Sequence, residues 1–214
     1  MAKSIVVTFG WTEFPVIGSI VRHGLEPGDR IVLLKPADSD ERAEKAIGDL
    51  RAFLKNIVGV ELIEKEINIS DFVNAVISIK RLLDNESLDR DLIVNLSGGM
   101  RILVLATYLA SLFIKKLKIE IESENRKFRI LLPSINIFHI LKLKNAHRRI
   151  LKLLQLYKGE CSIKDLMVSS KFSRSTLYVY VKDLENLGLV ERSDKRGILK
   201  ITDKGILLAT LLGG

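Results

Sequence analysis

A hydroxyl, two glycines and an arginine fall within five residues at Ser97-Gly98-Gly99-Met100-Arg101, between the apolar run Leu92 to Leu96 and the largely apolar stretch Ile102 to Ile114. Read as strand, turn and helix, that order has a definite chemistry. The first N–H groups of a helix have no partner within it, and with the positive end of the dipole they favour an anion, most often a phosphate. Glycine lets the turn take a positive φ and lets a ligand approach the main chain. Arg101, in the first turn, adds a cationic fork.

A second polar group follows the first apolar run: Gly10, Trp11, Thr12 and Glu13. Trp11 is placed either to stack on a base or to plug the end of a sheet as core. Thr12 and Glu13 are placed either to bond a ribose or an amine or to cap the helix that follows. Metal chemistry finds no ligands here. The chain has one cysteine, Cys161, and three histidines, His23, His139 and His147, with no metal-ligand spacing among them, so no disulfide, metal or cofactor is expected.

These turns need elements to hold them. Strand-like runs at 4–9, 30–35, 59–66 and 92–96 alternate with helical patterns that carry Ile17 and Ile20, Ile47 and Leu50, Val76 and Ile79, and residues 102–114. Asp38-Ser39-Asp40 and Ser70-Asp71 offer N-caps. Two further strands, 118–123 and 127–132, close residues 1–132. Alternation of this kind predicts a Rossmann-like α/β domain with a mostly parallel sheet, whose loops after the first and fourth strands line one crevice.

The net charge of +8 is unevenly spread. Residues 1–140 hold 19 basic and 19 acidic side chains, and residues 141–214 hold 15 against 7, so the entire excess lies in the last third. That asymmetry points to a polyanion at the C-terminal part, double-stranded DNA foremost. Residues 133–144 read as a packed linker. In 145–214, helical stripes around Ile150 and Leu154, Ile163 and Leu166, and Leu177, Val181 and Leu184 precede two short strands around a basic turn, a winged helix-turn-helix. His147 is assigned to a face other than the apolar one, and Cys161-Ser162 to the start of the second helix. Ser173 is the expected cap of the third helix, whose N-terminal part would enter the major groove. Candidate contacts to bases and nearby phosphates are Arg174, Ser175, Thr176 and Tyr178; candidates for phosphate are Lys171, Lys182, Arg192, Lys195 and Arg196. No stretch is long and apolar enough to span a bilayer and no secretory leader is evident, so the expectation is a cytoplasmic protein without a membrane partner.

The string Asn95-Leu96-Ser97-Gly98-Gly99-Met100-Arg101 resembles the Asp/Asn-x-Ser/Thr-Gly-Gly-x-Lys/Arg signature of CRISPR-associated Rossmann fold, or CARF, domains, at every fixed position. The C-terminal pattern resembles winged helix-turn-helix regulators of the MarR and ArsR kind. The first resemblance implies a homodimer whose two crevices join around a cyclic oligoadenylate, often cyclic tetra-adenylate. It places ligand contacts at Ser97, Gly98, Gly99 and Arg101 and at Gly10 to Glu13. Together the two imply an antiviral-defence transcription regulator acting on CRISPR promoters. Two alternatives are a metal-independent ring nuclease using Ser97 and Arg101, and a DNA-binding protein whose N-terminal domain only dimerises.

Overall fold

The computed structural model describes residues 2–37, 41–55, 57, 59–125, 127–132, 141, 143–193 and 197–212. The chain divides into two compact units, Met1–Asn136 and Ile137–Gly214. Most of the expected linker, with His139, lies outside the described residues, as do the cap candidates 38–40.

The first unit runs β1 (Lys3–Thr8), α1 (Phe14–His23), β2 (Arg30–Pro36), α2 (Glu41–Leu54), β3 (Glu61–Ile67), α3 (Phe72–Glu86), β4 (Asp91–Asn95), α4 (Arg101–Ser111), β5 (Lys118–Glu122) and β6 (Arg129–Leu132). The sheet order is β3-β2-β1-β4-β5-β6; all pairs are parallel except β5 with β6. Winding proceeds from β1 toward β3 on one side and from β4 toward β6 on the other, so the two central strands deliver their C-terminal loops next to each other.

The sheet is covered on both faces, and the two-residue period of the strands decides what goes where. Val6, Val32 and Val94 point to the face packed by Ile79 and Leu83 of α3 and Leu103 and Ala106 of α4. Ile5, Val7, Ile31 and Leu33 point to the other face, against Val16 and Ile20 of α1 and Ile47 and Leu50 of α2. Each such aliphatic side chain, once buried, stabilises the fold by about 1.5–3 kcal/mol. Asp71 accepts from the Asn74 backbone N–H at 3.0 Å and starts α3 as its sequence implied.

The second unit comprises α5 (Asn145–Leu156), β7 (Glu160–Ser162), α6 (Ile163–Ser170), α7 (Arg174–Asn186), β8 (Val190–Arg192), β9 (Ile198–Ile201) and α8 (Asp203–Leu212). Its sheet has three strands, in the order β7-β9-β8, all antiparallel. Ser162 opens α6 as expected, its Oγ accepting the Asp165 N–H at 3.0 Å, but Cys161 is extended rather than helical, because it pairs with Leu199 in the ladder. A three-residue strand is too short to show alternation in the sequence. His147 is also corrected. It is 3% exposed among Ile150, Leu151 and Leu154, while Leu156 and Tyr157 face outward. Its ring is accepted in the core because both nitrogens have partners: Nδ1 accepts from the Lys144 backbone N–H at 3.0 Å, and Nε2 meets Asp183 Oδ2 at 3.3 Å.

Gly205, in the first turn of α8, lies against the Leu189 carbonyl so closely that a Cβ would overlap it and the Ile201 side chain. Gly205→Ala is expected to cost about 1–3 kcal/mol, the range for overpacking a well-filled site. Hydrogen exchange should show faster exchange in peptides from residues 145–212 and unchanged exchange in those from residues 3–132.

Candidate functional site

The loops after β1 and β4 enclose a cleft of about 780 Å³. Its lining includes Phe9, Gly10, Trp11, Thr12, Lys35, Ser97, Gly98, Gly99, Met100, Arg101, Ile102 and Glu124, all from the first unit. A side pocket of about 210 Å³ shares Thr12, Ser97 and Glu124 with it. The structure thus brings seven of the eight expected ligand contacts to one place. Glu13 is the exception and lines neither space. It is the N-cap position of α1, where its carbonyl accepts from Val16 N and Ile17 N at 3.0 Å while its side chain makes no cap.

The glycines do something other than leave room for a ligand. A Cβ on Gly10 would stand 2.9 Å from Gly99 N, one on Gly98 would stand 2.8 Å from Thr8 O, and one on Gly99 would stand 3.1 Å from Phe9 O. The space each lacks a side chain for is filled by the backbone of the other loop. Gly99 also takes φ +86°, a region other residues avoid. The glycines therefore lock the two loops together, and Thr8 Oγ1 adds a hydrogen bond to the Gly98 carbonyl at 2.6 Å.

What faces the cleft is the start of α4. Its N-cap residue, Met100, has no capping side chain, so the first-turn N–H groups stay open to the cleft. Arg101 is exposed and forms no ion pair among the described residues. Ser97 is tied down: its N–H donates to Asn95 Oδ1 at 2.8 Å, and its Oγ accepts the Glu122 N–H at 2.9 Å. The hydroxyl proton remains free to donate. Trp11 is 66% exposed, which excludes the core reading, and the Arg42 guanidinium lies 5.8 Å from its ring centroid.

Two residues not named as ligand contacts in the sequence reading bear on the site. Lys35 lies at the cleft with 6% exposure, its Nζ 2.8 Å from Glu44 Oε1 and 3.3 Å from Glu64 Oε2. The hydrogen bond to Glu44, with that to Glu64, outweighs burial and holds the ammonium pKa above the ordinary lysine range. Its signal was available: a lysine closing an apolar strand at the sheet edge where ligands sit. The other is Asn95, fully buried, whose Nδ2 donates to Glu120 Oε1 at 2.9 Å and Pro15 O at 3.3 Å. Glu120 is 1% exposed and gathers Ser19 Oγ at 2.5 Å, Arg22 Nη2 at 3.0 Å, His23 Nε2 at 3.0 Å and Arg129 Nη1 at 3.3 Å. The signature loop thus rests on a buried carboxylate held by α1, β4 and β6.

In the second unit, Ser173 caps α7 by accepting from Thr176 N at 3.2 Å, and its hydroxyl also meets those of Ser175 and Thr176 at 3.0 and 2.8 Å. Arg174, Ser175, Tyr178 and Lys182 are exposed on this helix, with Thr176 half-buried. The Arg174 guanidinium lies 5.8 Å from the Tyr178 ring centroid. Lys171 is exposed in the turn between α6 and α7 with φ +57°. Arg192, the next phosphate candidate, is exposed and its Nε donates to Glu185 Oε1 at 2.8 Å. Lys195 and Arg196 lie outside the described residues.

Comparison with known proteins adds two family matches. Residues 3–133 match the model of the Csa3 CRISPR-associated Rossmann-like domain, and residues 143–191 match that of a winged helix-turn-helix DNA-binding domain. No curated protein matches the chain. Among solved structures, Enterococcus italicus Csm6 bound to cyclic hexa-2'-fluoro-hexa-dAMP is similar in fold, with a TM-score of 0.54 at 11% identity over 86% of this chain and 54% of that one. The chain thus spans about half the length of that protein. Protein VC1899 from Vibrio cholerae has a TM-score of 0.47 at 13% identity, covering 97% of this chain and 64% of its own. A type III CRISPR defence DNA nuclease activated by cyclic oligoadenylate has a TM-score of 0.48 at 12% identity, covering 92% and 32%.

Proposed function

The chain belongs to the family of Csa3 CRISPR-associated Rossmann-like domains, here joined to a winged helix-turn-helix DNA-binding domain, and on that premise we propose that it is a dimeric transcription regulator gated by a cyclic oligoadenylate. The ligand, cyclic tetra-adenylate in our reading, occupies the cleft between the β1 and β4 loops. CRISPR promoter DNA lies against α7 and the wing. The observation that carries the ligand half is the uncapped N-terminus of α4, with Arg101 beside it, opening into a 780 Å³ cleft. A ring of nucleotides is a ring of phosphates, which is what open N–H groups and an unpaired guanidinium bind.

One chain offers one such helix end. Two copies related by a two-fold axis offer two, which suits a four-phosphate ring. The exposed apolar side chains of Met100, Ile102 and Leu105 on α4, two of them at the cleft, support a second copy there. Regulation then requires only that the ring bind two arrangements of the dimer with different affinity. Among the described residues no histidine lines the cleft: His23 is tied to Glu120, and His147 belongs to the second unit. The proposal accordingly stays with sensing rather than cleavage.

Calorimetric titration with cyclic tetra-adenylate, with cyclic hexa-adenylate and linear tetra-adenylate as comparison ligands, tests the ligand half. Binding of one cyclic tetramer per two chains is expected, and Arg101→Ala should weaken it about 10- to 100-fold, the loss of one or two charge-assisted hydrogen bonds. Absence of heat with either ring would overturn it. The DNA half predicts a shift of duplex from a CRISPR promoter that weakens steeply with salt.

A further inference from the structure

The side chains of α7 include a buried stripe, Leu177, Val181 and Leu184, and exposed residues, Arg174, Ser175, Tyr178, Val179 and Lys182 in the first nine positions and Asp183 and Asn186 beyond them. Of the five exposed residues in the first nine positions, four carry a charge or a hydroxyl. Val179 does not, yet it is 59% exposed and sits one turn beyond Ser175, in the second turn of the helix. It lies outside the buried stripe. A β-branched residue is a poorer helix former than alanine, and its side chain here leaves apolar surface in water.

The surroundings say what that surface meets. The acids of the helix are engaged within the unit, Asp183 with His147 and Glu185 with Arg192. Arg174 and Lys182 form no ion pair among the described residues, so the exposed charges of the first nine positions of the helix, where Val179 lies, are cationic, while Asp183, exposed one turn beyond Val179, is held by His147. Such a face approaches a phosphate-lined groove. In the major groove the base edges display hydrogen-bond donors and acceptors, and the one apolar group among them is the C5 methyl of thymine. We infer that Val179 is a specificity-determining residue that packs on a thymine methyl in each half-site. The inference rests on the DNA half of the proposed function and deepens it by naming a base.

The test uses the full chain and a duplex enriched by it from a random pool at fixed salt. Each thymine of the enriched site is replaced in turn by deoxyuridine, which removes the methyl and nothing else. At one position per half-site the loss should weaken binding about fourfold, and about fifteenfold when both half-sites are changed, the worth of burying one methyl at each. Val179→Ser should bind the thymine and uracil duplexes alike, whereas Val179→Ile, which keeps an apolar tip, should still distinguish them. The inference is overturned if every uracil duplex binds within twofold of its parent, or if Val179→Ser keeps the full thymine preference. If no duplex is enriched and no salt-dependent binding occurs, the DNA half of the proposed function fails and this inference fails with it. Binding without any dependence on the methyl sinks this inference alone.

Discussion

Replacing Glu120 with alanine is expected to destabilise the first unit by about 3–5 kcal/mol, the cost of removing one member of a buried ion pair and leaving its partners uncompensated. The carboxylate is 1% exposed and receives Ser19, Arg22, His23, Asn95 and Arg129, so three elements besides its own strand, α1, β4 and β6, lose an anchor at once. Burial acts to raise the carboxyl pKa. The hydrogen bonds from Ser19, Arg22 and His23, with the charge of Arg22, outweigh it and leave the group at about 2, below its ordinary 4.5. A carboxyl lowered on folding contributes stability above its unfolded pKa and loses it as pH falls through the folded one. The contribution, about 3 kcal/mol from a shift of that size, is therefore complete at pH 6, mostly lost by about pH 2 and gone only below it. Urea unfolding followed by circular dichroism from pH 6 to pH 2.5 should show the parent losing stability over this window. Glu120→Gln, which keeps the shape without the charge, should lose stability at pH 6 and show a shallower decline. A parent and a Gln variant with parallel pH profiles would refute the account.

The second large effect is expected at the loop contact. Gly98→Val would drive a side chain into the Thr8 carbonyl, 2.8 Å from where its Cβ must stand, and Gly10→Val would do the same at Gly99 N, 2.9 Å away. Both obstacles are backbone, so relief comes from parting the loops rather than from turning a rotamer. Overpacking of this kind costs about 1–3 kcal/mol in stability. Binding suffers more, because the N–H groups at the start of α4 and the Ser97 hydroxyl are positioned only while the loops touch. Losing two charge-assisted hydrogen bonds should lower affinity for cyclic tetra-adenylate by more than about a hundredfold. Calorimetry on each variant, with circular dichroism to show that the sheet persists, reads both effects. Parent-like affinity in Gly98→Val would mean that the loop contact does not organise the site.

Much of this was legible in residue order. Apolar runs of strand length between helical stripes are enough to specify an alternating α/β unit, since each pattern buries a continuous face in only one conformation. The Ser173 and Asp71 caps, the glycine turn at 98–99, the charge excess of the last third and the helix-turn-helix are local signals of the same kind, carried by neighbours in sequence. Gly98 and Gly99 were singled out for the approach of a ligand, and they line the cleft, but the structure adds a second neighbour, the backbone of the other loop: a glycine reports that something approaches the main chain, and not what it is. His147 shows the same limit. In the sequence it is one polar residue beside two arginines, and its burial depends on Asp183, 36 residues away.

The sequence alone determined which elements form, where the positive charge lies and which glycine turn leads from β4 into α4, because these depend on side chains a few residues apart. Tertiary structure decided that Trp11 faces solvent, that Glu13 stays out of the cleft, that Lys35 enters it, and that Glu120 underlies the loop it never adjoins in sequence. The reason is physical: burial, ion pairing and backbone contact depend on distance in space, and the pairs that matter here, Asn95 with Glu120, Gly10 with Gly99 and Thr8 with Gly98, are separated by 25 or more residues and meet only when β1, β4 and β5 lie side by side.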